Sequence, residues 1–373
     1  MRNTTSLILL AALLTATPAG LAAQPHLLYG ADFSLRFDNR EFTPSSFSPS
    51  ETIFGTKINP YIGIGVKTGQ SSHKLALGLT FFREFGDVST PSERMSDILM
   101  YYEYTTPLPH SDFRIIGGVF PRQLGGREWN TAFFSEAYLW KDPNVEGLLM
   151  SWTGRKSSID VACDWIGLFG ADRTTREQFL ISSTAKYSPG RHLSMGYDAY
   201  MMHFANSLEV GGVCDNILAE PWVKVSTGGR LLDNASLKLG YIQSLQRNRL
   251  EGSSFETPSC VELETEISKY GFRLLNRLYF GRNLLSLYNR GDAAGNIFGE
   301  RLYCSDPFFL FREDGSDEPG SYDRLSLSYS PPFGKVLKLE FSAVFHFNNL
   351  GYSGCQQVIS LRYSFQGRHR LAF

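Results

Sequence analysis

The chain has 373 residues, with 36 Lys and Arg against 37 Asp and Glu, for a formal net charge of −1. That balance gives no broad basic surface and argues against a nucleic-acid partner. Aromatics make up 14% of the chain and Gly occurs 35 times, while stretches with a helical hydrophobic period are scarce, which points to strands and turns.

Met1-Arg2 followed by the apolar run Leu7 to Leu14 and the small-x-small site Gly20-Leu21-Ala22 reads as a secretory leader, residues 1–22. It is too short for a spanning helix, and no Cys follows the site, so a lipid anchor is not expected. Residues 23–373 are expected to form one exported unit.

The mature chain alternates almost at once. Leu27, Tyr29, Ala31, Phe33, Leu35 and Phe37 share one parity, with Asp32, Ser34 and Arg36 between them. A period of two means a strand with one oily and one wet face. The pattern recurs at about 52–67 (Phe54, Ile58, Ile62 and Ile64 against Lys57, Asn59 and Lys67) and after the turn Thr68 to Ser72. It continues near 97–105, 112–120, 145–153, 157–168, 176–187, 192–204, 219–227, 234–245, 260–268, 271–280, 322–330, 335–347 and 356–365. Ala132 to Trp140 is a further candidate strand, and 271–280, with Arg273 and Arg277, alternates poorly. Short connections (68–72, 106–111, 154–156, 188–191, 228–233, 269–270, 331–334) take turns with long ones (38–51, 85–96, 121–144, 169–175, 205–218, 246–259, 281–321, 348–355). The pattern predicts about 16 strands, within 14–18. A soluble β-sandwich or β-helix would use strands of about 5–6 residues, whereas many runs here approach the roughly 9–11 needed to cross a bilayer at a tilt.

The last stretch alternates again through Ile359, Leu361, Tyr363 and Phe365 and ends at Phe373. With the leader and the alternating connection lengths, it resembles the closing strand of the porin-like bacterial outer-membrane β-barrels. That resemblance implies an all-β, antiparallel up-and-down transmembrane barrel in the bacterial outer membrane, with short periplasmic turns and long outer loops. It implies passive diffusion of small hydrophilic solutes, contact with outer-membrane lipid and lipopolysaccharide, and insertion by the barrel-assembly machinery through the strand ending at Phe373. Homo-oligomerisation stays open. Catalysis, a cofactor and a metal are not expected. The alternatives are a membrane-embedded hydrolase of lipid or lipid A, and a non-conducting structural or surface-polysaccharide assembly barrel with a filled lumen.

If oily faces meet lipid, the wet faces line the lumen. The pore-lining and constriction candidates are Arg36, Lys57, Arg114, Asp160, Asp164, Arg324 and Arg362, with Arg122, Arg127, Glu128 and Glu136 from the third long connection. That connection holds the position of the inward-folded loop of sixteen-stranded porins, where opposed charges bias ion selectivity; an ordinary outer loop is the other reading. Lys74, Asp198, Lys224, Lys238, Lys338 and Glu340 share the wet parity. Glu262, Glu264 and Glu266 form a one-face ladder, either a cation site or solvated lumen. Glu313 to Glu318 is an acidic cluster without EF-hand spacing. Cys214, Cys260, Cys304 and Cys355 fall at outer loops and are disulfide candidates with three pairings, while Cys163 falls on the lipid face. His192 with Ser194 and Asp198, or His346 with Ser342 and Asn348, share inward parity. Neighbours two apart on a strand lie roughly 7 Å apart, so either His needs a cross-strand partner.

Overall fold

The computed structural model describes residues 25–43, 47–87, 96–126, 128–312, 318–334 and 336–371. The leader, Arg127, most of the acidic cluster (313–317) and Phe373 lie outside the described residues.

Sixteen antiparallel strands close into a barrel in simple sequence order, the last pairing with the first. They are β1 (His26–Phe42), β2 (Glu51–Thr68), β3 (Ser71–Glu84), β4 (Ser96–Leu108), β5 (Ser111–Pro121), β6 (Asn144–Gly154), β7 (Ser157–Gly167) and β8 (Gln178–Tyr187), followed by β9 (Leu193–Phe204), β10 (Cys214–Thr227), β11 (Asn234–Asn248), β12 (Ser259–Lys269), β13 (Phe272–Gly281), β14 (Gly320–Tyr329), β15 (Leu337–Asn348) and β16 (Gly351–Arg370). Each is long enough to cross a bilayer at a tilt. Closure leaves no unpaired strand edge, the condition for spanning lipid with strands.

The alternation in the sequence becomes the inside and outside of the wall. Ile58, Ile62, Leu77, Ile98, Met100, Val223, Leu239, Phe280, Ile359 and Phe365 stand exposed on the outer face. Such a belt is stable only against lipid. The chain is thus an integral outer-membrane barrel. Tyr29 and Phe365, facing each other's strand with ring centroids 6.2 Å apart, flank the periplasmic end of the seam.

Two segments expected to behave otherwise differ in the structure. Residues 132–140 are not a strand: they form a turn and one short helix, α1 (Glu136–Lys141), capped by Ser135, whose side chain accepts from Tyr138 N. The connection after β15 is not long, because the chain reverses within 349–350 and β16 begins at Gly351. The poorly alternating 271–280 stretch is β13. Its two inward arginines are matched on β12, Arg273 with Glu266 at 3.0 Å and Arg277 with Glu264 at 2.7 Å.

Candidate functional site

The lumen is organised by two outer connections whose described residues fold into it, L3 (122–126 and 128–143) and L7 (282–312 and 318–319). L3 is held by charge. Glu136 at the start of α1 receives Arg36 from β1 at 2.7 Å and Arg324 from β14 at 2.5 Å. Enclosure in the barrel works to raise its carboxyl, but the two guanidinium groups overcome that and hold it below the ordinary carboxylate range. Arg122 anchors the other end of L3, donating to Asp142 and to Asp164 of β7, both at 2.8 Å. Lys57 of β2 donates to Trp140 O at 2.8 Å and lies 4.0 Å from the Trp140 ring centroid.

L7 is held by apolar packing. Leu284, Leu285, Leu287, Phe298, Leu302 and Phe308–Phe311 pack with Phe133 and Phe134 of L3 against the inward residues Leu180, Tyr200, Phe204, Leu218, Ile242, Tyr279 and Tyr322. An apolar core therefore occupies the outer half of the lumen, against the β8–β14 wall. The two connections also join directly, Ser135 N donating to Cys304 O at 2.7 Å.

Beneath L7 lies a buried polar relay. Tyr322 Oη sits 2.8 Å from His346 Nδ1, and His346 Nε2 sits 2.9 Å from Gln356 Oε1. Gln356 Nε2 donates to Asp38 Oδ1 at 3.3 Å. Asp38, fully buried, is neutralised by Arg36 at 3.0 Å and Arg40 at 3.1 Å. An amide oxygen only accepts, so Nε2 carries the hydrogen and Nδ1 is the lone-pair nitrogen facing the phenol. Phe308 covers the relay, stacked at 4.7 Å on His346 and 4.9 Å on Tyr322.

A second buried cluster stands on β10–β12. Lys238 Nζ lies 2.5 Å from Glu220 Oε1 and 2.6 Å from Glu262 Oε2. Asn130 of L3 donates to Glu262 Oε1 at 2.8 Å, and Tyr279 Oη lies 2.9 Å from the same oxygen. Gly240 makes room for the pair, since a Cβ there would meet Glu220 Oε1 at 2.2 Å. This arrangement is an L3 anchor: Asn130 reaches both carboxylates, and Lys238 is the cation they share.

Of the residues read from the sequence, Arg36, Lys57, Arg122, Asp160, Asp164, Glu136 and Arg362 come together around one cavity of about 710 Å³ beneath L3. Arg114 turns to Glu103 and to Leu124 O, both at 2.8 Å. Glu128 is exposed at the cavity's edge, 3.9 Å from Arg273. The ladder of Glu262, Glu264 and Glu266 is matched cation for carboxylate by Lys238, Lys224, Arg277 and Arg273. His192 turns to Ser226 O at 2.9 Å, away from Ser194 and Asp198. His346 takes cross-strand partners, Tyr322 and Gln356, in place of Ser342 and Asn348.

The expected disulfides are not formed. All five cysteines are free, because Cys214 and Cys260 are buried on separate strands, Cys304 is buried in L7 and Cys355 sits on the outward parity of β16. Sequence reasoning missed Asp38, Glu220, Tyr322 and Gln356. Their parity was visible, two residues from Arg36, Trp222, Arg324 and Val358 on their strands, but their partners depend on inter-strand register.

The comparison that decides the family spans the barrel. A family model described as lipid A 3'-O-deacylase-type matches residues 24–365. The chain belongs to that family. Membership overturns the expectation of a non-enzyme, because the family is named for removing an ester-linked acyl group. No curated protein matches the sequence. Among solved structures, a loop-deletion mutant of OmpT from Vibrio cholerae is similar at 11% identity and TM-score 0.51, covering 92% of this chain and 100% of that one. OccK1 from Pseudomonas aeruginosa aligns at 10% identity and TM-score 0.47, covering 91% of this chain and 99% of that one. The Rhodopseudomonas blastica porin aligns at 11% and 0.45, covering 91% and 100%. At these identities the likeness concerns the barrel fold alone.

Proposed function

We propose that this protein is an exported, outer-membrane-embedded hydrolase that cleaves an ester-linked acyl chain from a lipid A-type glycolipid. The observation that carries the reading is the family match along the whole barrel, residues 24–365. The apolar core in the outer half of the lumen supports it, since a passive pore needs a continuous wet path.

The relay Tyr322–His346–Gln356–Asp38 is the machinery we assign. Ester hydrolysis needs a base to take a proton from water as its oxygen attacks the acyl carbonyl, and an acid to return a proton to the departing sugar oxygen. The lone pair on His346 Nδ1 accepts from the Tyr322 hydroxyl, so it takes up a proton through that phenol, which gives its own proton to Nδ1 as it receives one from the attacking water. Gln356 fixes the tautomer, and the Asp38 carboxylate, itself held by Arg36 and Arg40, orients Gln356. Tyr322, hydrogen-bonded to the same nitrogen, is placed to shuttle the proton. Because Phe308 covers the imidazole, L7 must lift for an ester to approach; L7 is the cover of the site.

The test is release of free fatty acid from purified lipid A by the refolded protein in detergent, followed by mass spectrometry. His346→Ala is expected to lower turnover by about 10²–10⁴-fold, with heat-modifiable migration showing that the barrel is still folded. Wild-type protein that releases no fatty acid, or a His346→Ala variant as fast as wild type, would overturn the assignment.

One observation favours a second reading, a gated channel for small polar solutes. The cavity beneath L3 runs to the short connection Ser330–Gly334 at the periplasmic end and is lined by charged groups. Single-channel recording separates the two: voltage- or ligand-dependent steps that persist in His346→Ala belong to a channel.

A further inference from the structure

The wall of the cavity beneath L3 holds cations in a row. Ser34 on β1 faces Lys57 of β2 on one side and Arg362 of β16 on the other, and Arg362 faces Lys338 of β15. All four point into the lumen and line the cavity. Residues opposite one another on paired strands have Cβ atoms about 4.5–5.5 Å apart, and like charges so placed repel. Arg362 against Lys338 is such a pair, and no carboxylate within ion-pair distance is recorded for either among the described residues. Lys57 likewise has no carboxylate. It is buried, with its ammonium on Trp140 O at 2.8 Å.

The other cations of the cavity are already matched, Arg36 by Asp38 and Glu136, Arg122 by Asp142 and Asp164. The acids nearest the row form no ion pair with it. Glu340 is two residues from Lys338 and engages the hydroxyls of Ser330 and Ser342 at 3.2 and 3.3 Å. Asp160 stands on the wall of β7, paired to β6 and β8, across the lumen. Lys338, Arg362 and the buried amine of Lys57 therefore share one side of a polar cavity, with Ser34 between Lys57 and Arg362 and Ser360 two residues from Arg362 on the same face.

We infer that this row is a binding site for a small oxyanion, a phosphate or carboxylate group, entering the lumen from the periplasmic side. The cations supply charge-assisted hydrogen bonds and the two serines neutral donors. About 710 Å³ accommodates a hydrated anion or a small phosphorylated or carboxylated solute. Trp140 roofs the site through Lys57, so occupancy is felt by L3. The site is separate from the relay under L7, and its existence does not depend on lipid hydrolysis.

The test is calorimetric titration of the full-length protein in detergent with inorganic phosphate and, separately, with succinate, read in parallel by tryptophan fluorescence. Saturable binding that weakens with added sodium chloride is expected for phosphate, for succinate or for both, and which one binds identifies the group. The double variant K338Q/R362Q should lose about tenfold or more of that affinity. It removes a repulsive pair, so folding should be retained, checked by heat-modifiable migration. Lys156→Gln, on the turn where its ammonium meets Pro189 O, should bind as wild type. Absence of saturable binding by either anion, or undiminished affinity in the double variant, would overturn the inference.

Discussion

Replacing Phe309 by alanine isolates what holds L7 in the lumen. The ring is fully buried and meets Tyr279 edge-on at 4.9 Å, Tyr322 at 5.5 Å and Phe311 at 6.0 Å. It touches none of the hydrogen bonds of the sheet, so the barrel should close as before. Truncating a buried Phe costs about 3–5 kcal/mol when the cavity does not collapse. At about 1.4 kcal/mol per factor of ten, the docked-to-undocked ratio of L7 should fall by roughly two to three and a half powers of ten. The assay is proteolysis of folded protein in outer-membrane vesicles, with mass mapping of cuts between residues 282 and 312. Wild type should resist and Phe309→Ala should be cut there, at a rate tracking the open population. Equal resistance over a range of protease concentrations would refute the claim that aromatic packing, and not the loop's backbone contacts, keeps it in.

Three further outcomes follow from the same contacts. Glu136 is held below the ordinary carboxylate range by Arg324 and Arg36, so its contribution to L3 docking is full above the ordinary range and is lost only as pH falls through its depressed value; Trp fluorescence of L3 should stay flat through the normal carboxylate range in wild type, and Glu136→Gln should show the undocked signal at neutral pH. Removing Lys238 strands two buried carboxylates, so Lys238→Met should cost about 3–5 kcal/mol in urea or thermal unfolding, while the triple change with Glu220→Gln and Glu262→Gln should recover much of it. Burial pushes the Cys304 thiol up to about 12, so maleimide at pH 8 should leave Cys304 unmodified in the folded protein, and electrophoresis with or without reductant should be identical.

The wall of this barrel was readable because its rule is local. Side chains alternate with a period of two, so Arg36, Lys57, Asp164, Arg324 and Arg362 could be placed inside, and Cys163 outside, without knowing any partner. The contents of the lumen were not readable in the same way. Phe308-Phe309-Leu310-Phe311 is an apolar run inside a connection, a signal that some surface must cover it, but nothing local says that the surface is Tyr279 and Tyr322. The relay is further out of reach. Tyr322, His346, Gln356 and Asp38 meet through the registers of three strand pairs, and the irregularity between His346 and Phe347 resets one of them. Position alone left the third long connection open between an inward loop and an ordinary outer one, and Ala132 to Trp140 stayed a candidate strand because it alternates loosely in aromatics, where the structure has a turn and a short helix.

The β1–β16 seam bears on how such a molecule comes into being. His26 pairs with Arg370 and Phe42 with Gly354, an unbroken zip along the whole height of the wall. Bringing together ends so distant in sequence costs on the order of 5 kcal/mol in chain entropy by the logarithmic law, and the gain arrives only when the last strand is in hand. Until then both margins of the ribbon are sticky templates. L3 and L7 lie within the ring the seam completes, so they must be gathered in before or as it shuts. Biogenesis is thus a packing problem with a deadline, and a variant that leaves L7 outside at closure would give a barrel of the right size with the wrong contents.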